Sequence, residues 1–153
     1  MSTEQIFNHR RIDERVITAG HPTEQQLRDA AAEGVTAVIN LAPIDHRSVP
    51  AEAEVVRSLG MAYDYIPVDW QAPTAADFTT FEHAMQAHDG DRVLIHCAAN
   101  FRVTAFYSLY ALKHLGWSAA DAEALRASIW DGSDHPVWQT FIESMTDAIE
   151  RPT

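Results

Sequence analysis

An apolar run, Val93-Leu94-Ile95-His96, leads into Cys97, and Arg102 follows after Ala98, Ala99, Asn100 and Phe101. A thiol attacks as its thiolate, and a guanidinium or a helix N-terminus beside it favours that form. The guanidinium also presents a planar fork that matches two oxygens of a phosphate or sulfate. From Val103 to Leu115 the chain is apolar on nearly every side, the pattern of a central buried helix. The start of that helix brings unpaired N–H groups and a positive dipole end to the same place. A loop that turns its amides inward needs a left-handed residue, and Asn100 tolerates that conformation better than its neighbours. Cys97, Arg102 and the backbone of Ala98, Ala99, Asn100 and Phe101 therefore read as an anion-binding loop with a nucleophile at its base.

Other groups gather around this loop in the sequence reading. Asp69 precedes Trp70 and Pro73 in an expected loop after a strand, where a carboxyl can give a proton to a leaving oxygen and then take one from water. Asp131 and Asp134, beside Trp130, are substitutes for that role. His96 is placed to orient the cysteine. Asp45, His46 and Arg47 follow a strand and should rim the site, most simply as a solvated turn. The sequence has eight histidines, but no HxxxH or CxxC spacing, so neither a metal nor another cofactor is expected. The four tryptophans and the phenylalanines are most simply core.

The elements that must hold these residues alternate between β-rich runs and helical patterns, the signature of βα units around a parallel sheet. Strands are expected over Arg15 to Ala19, Val35 to Leu41, Ala62 to Val68 and Arg92 to His96. Helices are expected after Thr23, with Gln26 completing a capping box, after Pro50, after Thr74 with Asp77, after Ser118 with Asp121, and from Pro136. The fold class is α/β: a three-layer α/β/α arrangement with a mostly parallel four- or five-stranded sheet. One domain is expected over residues 8–150, with tails at 1–7 and 151–153. In such sheets ligands bind beyond the carboxyl ends of the strands, where Cys97 lies.

The 153 residues carry 11 Lys and Arg against 22 Asp and Glu, a formal net charge of −11. That balance argues against nucleic-acid and acidic-membrane partners, which are bound through clustered cations, but a small anion at a locally positive pocket is compatible with it. The single cysteine excludes an intramolecular disulfide and suits a reducing compartment. No apolar segment reaches the ~20 residues that cross a bilayer, and Met1-Ser2-Thr3-Glu4-Gln5 does not resemble a signal peptide, so a soluble cytoplasmic protein is expected.

The run from Val93 to Thr104 resembles the cysteine-dependent protein tyrosine and dual-specificity phosphatases, in which a strand ends in His-Cys and a loop closes on Arg. Gly34-Val35-Thr36-Ala37-Val38-Ile39-Asn40-Leu41 is like the strand these enzymes place beside the loop. Tyr65-Ile66-Pro67-Val68-Asp69 is like the strand leading to their general-acid aspartate. More specifically the chain is similar to a bacterial family of small phosphatase-like domains, some fused to hydrolases of the metallo-β-lactamase type. The resemblance implies phosphate monoester hydrolysis through a phosphocysteine, with Cys97, Arg102 and Asp69 catalytic, His96 and Thr104 supporting, and a phosphorylated small molecule or phosphoprotein as substrate. The sequence departs from the phosphatase pattern in two ways. Four residues, not five, separate Cys97 from Arg102, which is the rhodanese spacing, and Val103 follows Arg102 where a hydroxyl residue is usual, although Thr104 keeps its distance from the cysteine. A rhodanese-like sulfurtransferase and a non-catalytic phosphate- or phosphoprotein-binding module are therefore the rival readings.

Overall fold

A computed structural model describes residues 2–151. Five strands form one sheet in the order β1-β2-β5-β3-β4: β1 (Arg10–Arg11), β2 (Val16–Ala19), β3 (Ala37–Asn40), β4 (Ala62–Tyr65) and β5 (Val93–His96). β2, β5, β3 and β4 are parallel, and β1 adds an antiparallel edge. The parallel order puts β5, which carries Cys97 at its end, between two neighbours, with His96 in register with Ala19 on one side and Asn40 on the other.

Six α-helices connect and cover the sheet: α1 (Glu24–Ala32), α2 (Glu52–Ser58), α3 (Ala75–Ala87), α4 (Phe101–His114), α5 (Ala119–Ala127) and α6 (Pro136–Glu150). Thr23 with Gln26, Thr74 with Asp77 and Ser118 with Asp121 each close a reciprocal capping box, and Pro136 starts α6, as their spacing predicts. Alternation along the strands divides the interior in two. Ile17, Val38 and Leu94 pack with Leu27 of α1 and Val56 of α2. Val16, Ile39, Val93 and Ile95 pack on the other face with Phe78, Phe81, Phe106 and Trp138. The result is the expected three-layer α/β/α fold with a mostly parallel sheet.

Three details differ from the sequence reading. β1 spans two residues, too short for any hydrophobic period, and was not expected. β4 ends at Tyr65, before the expected Val68, because the backbone from Ile66 leaves the sheet after bonding to Asn40 and Leu41. The segment 2–7 is not a tail: Thr3 and Ile6 are buried, and Thr3 is held by the Glu33 carboxylate through its N–H (2.9 Å) and its hydroxyl (2.7 Å). At the other end Arg151 is exposed, and Pro152 and Thr153 lie outside the described residues.

α4 is the centre of the second interior. Phe106 is fully buried and meets Phe78, Phe81, Trp138 and Phe141 with ring centroids 5.7–6.0 Å apart. Removing such a ring leaves a cavity whose walls close only in part. Phe106→Ala should lower the unfolding free energy by about 3–5 kcal/mol, read from urea melts with an unchanged denaturant slope.

Candidate active site

The loop from Cys97 to Asn100 reverses the usual direction of its peptides, and the bonds behind it show how. The Cys97 carbonyl faces His96 Nδ1 at 3.3 Å, and the Ala98 carbonyl accepts the His21 N–H at 3.0 Å. The Ala99 carbonyl accepts from Asn8 Nδ2 at 2.9 Å, and the Asn100 carbonyl accepts the Thr104 N–H and hydroxyl at 3.1 and 2.8 Å. Because each peptide is planar and trans, a carbonyl fixed outward turns the N–H on the same unit the other way. Among the described residues nothing accepts from the N–H groups of Ala98, Ala99, Phe101 or Arg102. Those donors are available to an anion.

Asn100 makes the turn. Its backbone is left-handed (φ 69°), and its side-chain amide donates to the Asn8 carbonyl (2.8 Å) and the Thr18 hydroxyl (3.0 Å). Asn8 is left-handed too, so the two asparagines clasp each other across the N-terminal segment and the loop. α4 starts at Phe101, two residues earlier than the apolar run suggests, so the Arg102 backbone lies in its first turn.

The loop forms one wall of a pocket of about 350 Å³ lined by Arg47, Trp70, Cys97, Ala98, Ala99, Phe101, Arg102 and His135. Cys97 is buried at its base. Arg102 is nine-tenths buried, its guanidinium carbon lies 5.5 Å from the centre of the Trp70 ring, and its Nε has no partner. Among the described residues no carboxylate pairs with Arg102, so its charge is not cancelled locally. Val103 is instead packed in the core. The short loop thus keeps its arginine facing the pocket.

The other expected residues divide. Arg47 reaches the pocket but is bound to Asp45 at 2.7 Å, and that contact with the Arg47 side chain and N–H pushes the exposed Asp45 carboxyl down to about 2. Asp69 is exposed, accepts the Gln71 N–H at 2.9 Å and does not line the pocket, although its neighbour Trp70 does. Asp131 caps a short 3-10 turn through the Ser133 N–H and hydroxyl, and Asp134 lies in a neighbouring cavity that shares Trp70 and His135. Thr104 is buried behind the loop and accepts from Trp130 Nε1 at 3.1 Å. Among the described residues no group of three or more His, Cys, Asp or Glu side chains is placed to hold a metal ion.

Sequence reasoning missed Trp70 and His135. Trp130 and Trp138 are core as expected, but Trp70 is half-buried between them and the pocket, and His135 stands edge-on to it at 5.1 Å. Phe101 stacks on Trp130 (5.1 Å, 7°), which completes an aromatic wall beside the anion loop. Neither residue has a local spacing signal, because the wall is assembled from three separate connections.

Comparison with known proteins agrees with this architecture. No family model matches the chain. A crystal structure of "Putative phosphatase (DUF442)" from Shewanella putrefaciens CN-32 superposes with a TM-score of 0.88 at 34% identity, covering 95% of this chain and 93% of that one. A complex of TpbA from P. aeruginosa with phosphotyrosine shares the fold at a TM-score of 0.73 and 15% identity, over 99% of this chain and 94% of that one. The "Beta-lactamase hydrolase-like protein" of Xylella fastidiosa strain Temecula1 is 32% identical over 102 residues, 64% of this chain. This chain spans only 23% of the length of that relative. The fold is that of the cysteine-based phosphatases. Within that fold the chain belongs to the DUF442 family.

The approach of the β2 end to the loop gives a direct test of the site's geometry. A Cβ on Gly20 would stand 2.6 Å from the Ala98 carbonyl oxygen and 2.9 Å from the Phe7 ring. The exposed Phe7 ring can swing aside, but the Ala98 carbonyl is backbone, so the loop has to move. Gly20→Ala should keep the far-ultraviolet circular dichroism of the fold but weaken binding of vanadate by about tenfold or more, about 1.4 kcal/mol, measured by calorimetric titration.

Proposed function

We propose that the protein hydrolyses phosphate monoesters through a phosphocysteine on Cys97. The observation that carries this reading is the pocket itself: a buried thiol at its base, uncommitted loop N–H groups, and an Arg102 guanidinium with no carboxylate partner. Cys97 attacks phosphorus as the thiolate while the loop amides and Arg102 hold the three non-bridging oxygens, where the transition-state charge sits. The bond to the leaving oxygen breaks, and that oxygen takes a proton from Asp69, whose loop carries Trp70 into the pocket wall. Water then attacks phosphorus, the sulfur–phosphorus bond breaks, and Asp69 takes the water's proton. His96 and Thr104 fix the loop from behind. The aromatic wall suits a phosphorylated small molecule or a phosphorylated side chain presented by a protein, in line with the phosphotyrosine bound to TpbA. A reducing cytoplasmic setting suits the free thiol, and residues 2–150 act as one unit.

Cys97→Ser should abolish hydrolysis of an aryl phosphate, measured by phenolate release, while the melting temperature changes little, because a serine hydroxyl is hardly ionised at neutral pH. Turnover at the wild-type rate in that variant would overturn the covalent mechanism. Asp69→Asn should slow hydrolysis by roughly 10²–10⁴-fold for alkyl leaving groups and much less for nitrophenolate. Equal losses for both substrate types would move the acid role to His135, the ionisable side chain besides the arginines and Cys97 that lines the pocket.

A second reading, sulfur transfer, is favoured by two observations: among the described residues no carboxylate lines the pocket, and the loop has the rhodanese length. Cys97 would attack the outer sulfur of thiosulfate, sulfite would leave with the bonding pair, and the persulfide would pass its sulfur to cyanide. Neither leaving group needs a proton. Thiocyanate formation from thiosulfate and cyanide, with no turnover of aryl phosphates, would replace the first reading by this one.

A further inference from the structure

Glu52 is a charged residue on the first turn of α2, yet its side chain is 1% exposed, and it meets a His96 ring that is fully buried. His96 Nε2 lies 2.8 Å from Glu52 Oε2, and His96 Nδ1 lies 3.3 Å from the Cys97 carbonyl oxygen. A carbonyl can only accept, and an ionised carboxylate can only accept. A ring held between two acceptors makes both bonds only when both of its nitrogens carry protons. We infer that Glu52 is a positioning residue for Cys97: it holds the His96 imidazole doubly protonated against the Cys97 carbonyl and so fixes a positive charge behind the thiolate.

The surroundings leave this charge to Glu52. His21, from the connection between β2 and α1, faces His96 with ring centroids 5.9 Å apart, and neither of its nitrogens has a partner. Burial, and then the charge of His96, hold the His21 imidazole below its ordinary range, so it is neutral at pH 7. Asn40 of β3 gives its side-chain amide to the Tyr63 hydroxyl of β4, and burial pushes that phenol up, so it is neutral as well. Burial works to raise the Glu52 carboxyl, but the hydrogen bond and charge of His96 prevail and hold it below its ordinary value. Arg47 and Asp45 act on His21 from farther out and bind each other. Glu52 Oε1 has no close hydrogen-bond partner, and the Tyr63 hydroxyl beside the carboxylate adds to the histidine in favouring its ionised form. A buried pair that is only structural is commonly replaceable by apolar side chains, whereas this one ends on the backbone of the nucleophile.

The inference rests on Cys97 being the reactive thiol of the proposed function, and alkylation reads that thiol without turnover. In ¹⁵N spectra of the wild-type protein the His96 ring should show two protonated nitrogens at pH 7.5. In Glu52→Gln the ring should be singly protonated at the same pH, and alkylation of Cys97 by iodoacetamide at pH 6.5 should slow by about tenfold, a displacement of roughly one pH unit in its profile. Glu52→Asp should recover part of that rate. A singly protonated ring in the wild type, or an unchanged alkylation profile in folded Glu52→Gln, would overturn the role given to Glu52. If Glu52→Gln does not fold, the wild-type spectrum decides alone. A normal alkylation profile without hydrolysis would count against the phosphatase reading and leave Glu52 in place.

Discussion

The fixed outward direction of four carbonyls, Cys97 through Asn100, is the constraint from which the rest of the site follows. Each is bonded from a different quarter: His96, His21, Asn8 and Thr104. Each such bond contributes about 0.5–1.5 kcal/mol net, while a buried N–H left without an acceptor costs about 1–3 kcal/mol. The scaffold thus holds open a set of donors that the loop alone would not keep. It also follows that an anion occupying the pocket stabilises the whole fold, by RT ln(1 + [L]/Kd), because the donors it satisfies are otherwise unpaired. This is why the N-terminal segment matters. Asn8 is left-handed and bonded both ways to the loop, so residues far from Cys97 in sequence set its backbone.

A formal charge of −11 and an anion site coexist because the site's field is short-ranged. Arg102 is buried beside low-dielectric aromatic rings, so its charge acts on the pocket with little screening. The first turn of α4 adds its dipole at the same point. Beyond a Debye length of about 8–10 Å the surface carboxylates prevail. A small anion reaches the pocket through that outer field, whereas a long polyanion would meet repulsion along its whole length.

Local physics was legible in the sequence and assembly was not. The capping boxes, the Pro136 start and the order of strands and helices were readable because each depends on neighbours within a few residues. The anion loop was readable for the same reason, since Cys97, Asn100 and Arg102 lie in one short stretch. β1 carried no period to detect, and the packing of residues 2–7 depends on Glu33, which lies beyond β2 and α1. Trp70 and His135 were hidden because their partnership joins a loop after β4 to the start of α6. Glu52 was least visible of all. An acidic residue on the first turn of a helix ordinarily faces solvent and favours the helix dipole, and only the adjacency of β3 and β5 carries α2 over His96.

Thr104 shows how the shortened loop changes the meaning of a familiar position. A hydroxyl at this distance from the cysteine could donate to the thiolate if its proton were free. Here the hydroxyl donates back along the helix, with Oγ1 2.8 Å from the Asn100 carbonyl oxygen and 3.2 Å from that of Phe101, and Oγ1 also accepts the Trp130 indole N–H. With both roles taken, Thr104 has nothing left to offer the sulfur. It acts instead as a link: Trp130 fixes Thr104, Thr104 fixes the Asn100 carbonyl, and Asn100 sets the left-handed turn that opens the amides. Trp130 also stacks on Phe101, whose ring lines the pocket. The connection between α5 and α6 is thus joined to the loop by a hydrogen bond and a stacked ring. Stabilisation of a negative sulfur falls to Arg102, the loop amides and the protonated His96 ring, and not to the hydroxyl of Thr104.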